Sequence, residues 1–180
     1  MRPRWTCALL LVLLSLVCAS AQSGPTEYDV KAAYLFNFGK FVKWPANKQP
    51  ARRTFGICMM GEDHFGGALD RVAAGENISG LPVVVKRVAS AEDVSDCNIV
   101  FVDRSEEKRL PAVLPALTRA GVLTVSDMPG FVERGGMIQF QPAGNRIRFE
   151  VNLDAAEQGG LSLSSDLLKV ATKVRRAGAS

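Results

Sequence analysis

Histidine is almost missing from this chain: His64 is the one copy among 180 residues. Histidine is the side chain that most often carries general acid–base catalysis and transition-metal ligation. A zinc or copper site is therefore not expected, nor is any other metal or cofactor. Long apolar runs are missing as well, since none reaches the roughly 20 residues that a helix needs to span a bilayer. Charge of one sign is not in excess. The 22 basic and 18 acidic residues are interspersed and give a net charge of +4, without the basic patch or stripe that would point to a nucleic-acid partner. The sequence also lacks the fingerprints of common catalytic and nucleotide-binding loops, G-x-S-x-G, G-x-G-x-x-G and the Walker loop. Internal repeats and low-complexity tracts are absent. With 47% apolar and 22% charged residues, 16 Gly and 9 Pro, the composition is that of a globular domain. It excludes a collagen-like, coiled-coil or disordered chain.

The N-terminus has a layout of its own. Basic Met1-Arg2-Pro3-Arg4 precedes an apolar run from Ala8 to Val17, broken only by Ser15, and Ala19-Ser20-Ala21 offers a small-x-small cleavage site. This is the pattern of a secretory signal peptide over residues 1–21, with cleavage near Ala21-Gln22. Cys18 suggests lipidation as a competing reading, but Val17 stands where lipoprotein processing wants a small residue. The expected mature protein is a single domain over residues 22–180, exported to the periplasm. Removing Arg2 and Arg4 lowers the basic count from 22 to 20 against 18 acidic residues, and the net charge from +4 to +2.

Export leaves two cysteines, Cys58 and Cys97. An even pair in an oxidising compartment reads as a disulfide. The alternative is a redox-active or metal-binding pair, which would favour short C-x-x-C spacing or further ligands nearby.

Periodicity predicts the elements. Glu27 to Trp44 reads as a helix with Thr26 as N-cap, Glu27 and Asp29 in its first turn, and Pro45 as its stop. Val30, Tyr34, Phe38 and Phe41 form one apolar row and Tyr28, Leu35 and Val42 a second. Six of the 13 aromatic residues fall between Tyr28 and Trp44. One buried face cannot hold them all, so this helix either lies deep between layers or offers some surface to another chain. Strands follow at Phe55–Met60, Val83–Val85, Asn98–Val102 and Val122–Val125. Between them lie helical segments at Phe65–Ala74, Ala91–Val94 and Ser105–Arg119, the last broken near Pro111 and Pro115. Met137–Gln141 and Arg146–Leu153 alternate around Pro142-Ala143-Gly144-Asn145 as a β-hairpin. Ile138, Phe140, Ile147, Phe149 and Val151 share one face of it. A last helix is expected from Leu167 to Val174. The pattern specifies an α/β fold: a three-layer α/β/α sandwich with a mostly parallel sheet and a C-terminal β-hairpin. A Cys58–Cys97 bridge would require the first and third strands to be neighbours, as in the flavodoxin-like order 2-1-3.

Candidate chemistry is sparse. Gly61-Glu62-Asp63-His64-Phe65-Gly66-Gly67 follows a strand and opens a helix, but its two carboxylates would repel a phosphate, so it reads as a βα turn. The pairs Glu62/Asp63 and Glu106/Glu107 read as solvated. Glu150, beside Arg148 on a strand face, reads either as half of an ion pair or as a ligand contact.

Several segments together resemble the YfiR family of bacterial periplasmic proteins. They are Val30-Lys31-Ala32-Ala33-Tyr34-Leu35-Phe36-Asn37-Phe38 with Phe41-Val42 and Trp44-Pro45, Ile57-Cys58 to Gly61, Leu123-Thr124-Val125-Ser126-Asp127, Gly135-Gly136-Met137-Ile138, Arg148-Phe149-Glu150-Val151-Asn152-Leu153, and Gly160 to Lys169. The resemblance implies a regulator and not an enzyme. Its members are similar to a repressor that holds an inner-membrane diguanylate cyclase inactive through that enzyme's periplasmic region, lowering cyclic-di-GMP and biofilm formation. An OmpA-like outer-membrane lipoprotein can sequester that repressor. The resemblance also matches Cys58 and Cys97 to a family disulfide, whereas a second family disulfide has no cysteines here.

Two functional readings follow. In the first, the chain binds a membrane diguanylate cyclase or another membrane sensor, with Tyr34, Phe38, Phe41 and Trp44 as partner-binding candidates. An OmpA-like lipoprotein and a second copy of the chain, in a homodimer, are further candidate partners. In the second, it is a small-ligand receptor or adaptor whose pocket is lined by Trp44, Arg148 and Glu150.

Overall fold

The computed structural model describes residues 24–45 and 53–176. The expected signal peptide lies outside the described residues, as does most of the polar stretch 47–53. Elements run in the order α1 (Glu27–Phe41), β1 (Val42–Lys43), β2 (Phe55–Met60), α2 (Ala68–Ala73), β3 (Asn77–Ile78), β4 (Leu81–Val88), β5 (Ile99–Val102), α3 (Leu110–Ala120), β6 (Leu123–Ser126), β7 (Ile138–Ala143), β8 (Arg146–Asn152), α4 (Leu153–Gln158), β9 (Ser162–Leu163), α5 (Ser165–Val170) and β10 (Lys173–Arg175). Short 3₁₀ turns occupy Ala91–Val94 and Arg104–Arg109.

Eight strands form one sheet in the order β10-β8-β7-β6-β5-β2-β4-β3. Pairing is parallel except at the hairpin β7/β8 and at β3/β4. β4, β2 and β5 are adjacent, which is the order that the cysteine pair requires. The central strands are buried on both faces, so their side chains divide between two cores at a period of two. Phe55, Ile57, Met59, Ile99, Phe101, Leu123 and Val125 face one layer with α1 and α2, and the hairpin's Ile138, Phe140, Phe149 and Val151 join them. Cys58, Met60, Val100 and Val102 face the other, under Leu110, Val113, Leu114 and Leu117 of α3. This is the expected three-layer α/β sandwich.

The Cys58–Cys97 disulfide ties β2 to the chain entering β5, with Cα atoms 5.8 Å apart, and both residues are buried. Gly56 permits this approach. A Cβ there would run into the Asp96 carbonyl, and the backbone instead pairs through the Asn98 N–H to the Gly56 carbonyl at 2.7 Å.

Several boundaries differ from the periodicity. α1 stops at Phe41 because Val42 turns extended (φ −112°, ψ 140°) and Val42-Lys43 pairs with β9. The residue before Pro45 also disfavours helix, so Trp44 lies beyond the helix. The helix expected to run to Val174 ends at Val170. Thr172 then donates from both N–H and Oγ1 to the Phe149 carbonyl at 2.9 Å, and Lys173–Arg175 adds a parallel strand to β8. β4 spans Leu81–Val88, longer than its three-valine centre, and α2 begins only at Ala68, after Gly66 and Gly67 in left-handed conformations. In the segment from Ser105 to Arg119 a break occurs before Leu110, next to Pro111, but Pro115 lies inside the following helix without breaking it. A 3₁₀ turn capped by Asp103, not Ser105, gives way to α3, with Pro111 in its first turn, where the missing N–H costs nothing.

Candidate functional site

Helix α1 begins with a capping box: Thr26 Oγ1 accepts the Asp29 N–H and Asp29 returns the bond to the Thr26 N–H. This fixes the start of the helix. Its inner face buries Ala32, Leu35, Phe36 and Phe38, and its outer stripe exposes Ala33, Asn37, Lys40 and Phe41. The aromatics divide accordingly. Phe38 is 1% exposed and packs on Phe140 and Phe149, so it belongs to the core and not to the expected partner surface. Tyr34 is half-buried against the same rings and donates its hydroxyl to the Ile147 carbonyl at 3.3 Å. Trp44 sits edge-on to Phe55 at 5.3 Å, its Nε1–H buried without a partner among the described residues. Phe41 is 40% exposed.

The three ligand-binding candidates are not brought together. Trp44 packs on Phe55 of β2, and three strands separate β2 from β8, which carries Arg148 and Glu150. Glu150 does not pair with Arg148. It accepts from Gln141 Nε2 at 2.7 Å and from Arg175 Nη2 at 3.1 Å, a partner supplied by the unforeseen strand β10. A cleft of about 460 Å³ lies between the start of α1 and the hairpin tip, lined in part by Val30, Tyr34, Arg146, Ile147 and Arg148.

A polar cluster forms where the parallel strands end. Lys31 is 2% exposed and ion-pairs with Asp127, at the end of β6, and with Glu27, each at 2.5 Å. Its ammonium also lies 4.4 Å from the Tyr28 ring centre. Burial opposes the charge, but the hydrogen bonds to Asp127 and Glu27 prevail and hold the Lys31 pKa above the ordinary lysine value. Burial and the Asp127 carboxylate push the Tyr28 phenol up. One strand over, Asp103 at the end of β5 faces His64 and Glu62 from the loop after β2. The ligand atoms of these three residues lie within 4.8 Å of one another. Glu106, expected at the solvent, is 9% exposed and pairs with Arg109 at 3.0 Å.

Sequence reasoning missed Lys31, Asp127 and Asp103 as site residues. Signals for them were present. Lys31 falls in the inward row three and four residues from Tyr28 and Leu35, where an unpaired lysine would be costly, and Asp103 and Asp127 stand one and two residues after predicted parallel strands.

Comparison with known proteins places this geometry. A sequence model described as YfiR/HmsC-like matches residues 28–172, the span from the first turn of α1 to the start of β10. The chain belongs to the YfiR/HmsC-like family. This family comprises periplasmic, non-catalytic regulators of cyclic-di-GMP signalling that act with a membrane signalling partner. The buried disulfide is consistent with an oxidising compartment. Among the described residues no helix is long and apolar enough to cross a membrane. Solved structures share the fold at low identity. A conserved domain protein from Vibrio cholerae O1 biovar El Tor is 13% identical, with a TM-score of 0.53 over 80% of this chain and 60% of that one. An ABC domain in complex with L-Trp from Streptococcus pneumoniae is 15% identical, with a TM-score of 0.53 over 81% of this chain and 60% of that one. The YfiR/HmsC-like chain thus spans about 60% of the length of each, and the likeness shows the fold alone.

Proposed function

We propose that this YfiR/HmsC-like protein is exported by residues 1–21 and binds the periplasmic region of an inner-membrane diguanylate cyclase, holding the enzyme inactive and lowering cyclic-di-GMP and biofilm formation. The family match over residues 28–172 carries the reading. The surface of α1 supports it. A standard interface covers about 800 Å² per partner and is anchored by a few aromatic residues. Phe41 ends a solvent-facing stripe with Ala33, Asn37 and Lys40, whereas Tyr34 and Trp44 are partly buried against the core. Phe41→Asp places a charge on this stripe at a residue that is not part of the core. The test is retention of solubilised membrane proteins on the immobilised protein, read by mass spectrometry. A diguanylate cyclase retained by the wild type and lost with F41D is expected. A cyclase retained equally by both moves the interface elsewhere, and a different receptor moves the pathway. Recovery of an OmpA-like lipoprotein would identify the sequestering partner, and self-association of the bait a homodimer.

The cleft beside Tyr34 supports a second reading, as a small-ligand receptor or adaptor for another membrane protein. Its volume falls within the range of small-molecule sites, about 300–1,000 Å³, and Arg146 and Arg148 would favour an anionic group. Trp44 and Glu150 take no part in it.

A further inference from the structure

We propose that Glu62, His64 and Asp103 form a binding site for a divalent transition-metal ion of the zinc class. The first support is distance. His64 Nε2 lies 3.5 Å from Asp103 Oδ2 and 3.6 Å from Glu62 Oε2. These separations exceed the usual N–H···O range of about 2.7–3.2 Å, so the imidazole makes neither hydrogen bond closely. They do match the edge of a zinc tetrahedron: ligands about 2.0–2.2 Å from the metal stand about 3.3–3.6 Å apart. Glu62, with a side chain 73% exposed, is free to swing and close the third edge.

Asp103 provides the second support. Its side chain is 3% exposed. Oδ1 accepts the Ser105 N–H at 2.8 Å, while Oδ2 lies 3.5 Å from His64 Nε2. A buried carboxylate is stabilised by a cation brought within its reach. The bond to Oδ1 is the outer-sphere contact that orients a ligating carboxylate. Other acids nearby are already neutralised: Asp63 pairs with Arg87 and Asp127 with Lys31. Glu62 and Asp103 keep two negative charges and, among the described residues, no lysine or arginine partner. Two carboxylates and an imidazole make a charge-matched ligand set for a dication, with one position open.

The third support is the fold. β2 and β5 are neighbours, and the chain leaves β2 toward β4 and β5 toward β6, in opposite directions. This is the topological switch point, where open α/β sheets bind ligands beyond the carboxyl ends of the strands. The two loops are pressed together there. Gly61 adopts φ +95°, and a Cβ on it would meet Asp103 Cβ at 2.9 Å and Ser105 Oγ at 2.5 Å, while Ser105 Oγ accepts the Glu62 N–H at 3.0 Å. Counting histidines and cysteines argued against a zinc or copper site because two of the three ligands here are carboxylates. The site is separate from the α1 stripe and stands or falls independently of the proposed partner.

The experiment is calorimetric titration of purified, untagged protein with zinc chloride, together with nitrogen-15 NMR of the imidazole. The chain has one histidine, so one pair of ring signals reports the site. One equivalent of zinc is expected to bind and to move those signals. His64→Asn and Asp103→Asn should each weaken binding at least about tenfold, with circular dichroism unchanged. Should D103N fail to fold, H64N and E62Q decide, since both side chains are solvent-exposed. No heat of binding above buffer, ring signals unmoved by excess zinc, or undiminished affinity in H64N would each overturn the site.

Discussion

Reducing the Cys58–Cys97 disulfide should cost this fold a large part of its stability. The cysteines are 39 residues apart and close a loop of that length. The chain-entropy relation then gives about 13 cal/mol/K, or about 4 kcal/mol at 25 °C, as the constraint removed from the unfolded chain on reduction. Domains of this kind have only about 5–15 kcal/mol in total. At about 2–4 °C per kcal/mol for a chain of this size, the melting midpoint should fall by about 8–16 °C. Burial adds a kinetic consequence. Cys58 and Cys97 are 0% and 1% exposed, so a thiol reductant reaches the bond only when the β2–β5 region opens. Scanning calorimetry of oxidised and reduced protein measures the first effect. Thiol release in dithiothreitol, with and without about 2 M urea, measures the second and should accelerate in urea. A midpoint shift below about 3 °C would refute the entropic reasoning. A native-state reduction rate equal to that in urea would refute the burial argument.

Two further perturbations test other parts of the structure. Phe38→Ala, in the core, should destabilise by about 3–5 kcal/mol, whereas Phe41→Ala should stay within about 0.5 kcal/mol of wild type; urea unfolding of both variants separates core from surface on α1. The Lys31 pKa is raised on folding, so its protonated form stabilises the fold fully below the unfolded lysine pKa of about 10.4 and that contribution is lost as pH rises through the higher folded value. The raised Tyr28 phenol acts in the same direction, because the unfolded chain gives up its proton first. Unfolding followed from about pH 8 to about pH 11 should therefore show stability falling at the alkaline end, and less steeply in Lys31→Met; a profile identical in the variant would remove Lys31 from the account.

Much of the fold was legible because period-two and period-3.6 patterns report burial directly. The strand ending at Asp103 is a short apolar run, too short for a buried helix and rich in β-branched residues; its Ile99, Val100, Phe101 and Val102 are all buried. The hairpin's facing residues pair as their alternation predicts, Phe140 opposite Phe149. Ends were less legible. Trp44 and Val174 continue a helical apolar spacing, but long-range pairing to β9 and β8 overrides it, and a local pattern carries no record of a distant strand. The aromatic richness of α1 was plain in the sequence, yet which rings face out depended on the sheet beneath, which claims Phe38 and leaves Phe41. The polar clusters were the least legible. Lys31 and Asp127 are 96 residues apart and His64 and Asp103 are 39 apart, and only the parallel crossovers bring each pair to the same edge.

The proposed repression is tested most directly by intracellular cyclic-di-GMP, measured by mass spectrometry in cells lacking the protein and in the same cells supplied with the wild type or F41D. The account predicts a rise when the protein is missing, restored by the wild type and not by F41D. A cyclic-di-GMP level unchanged by loss of the protein would contradict it.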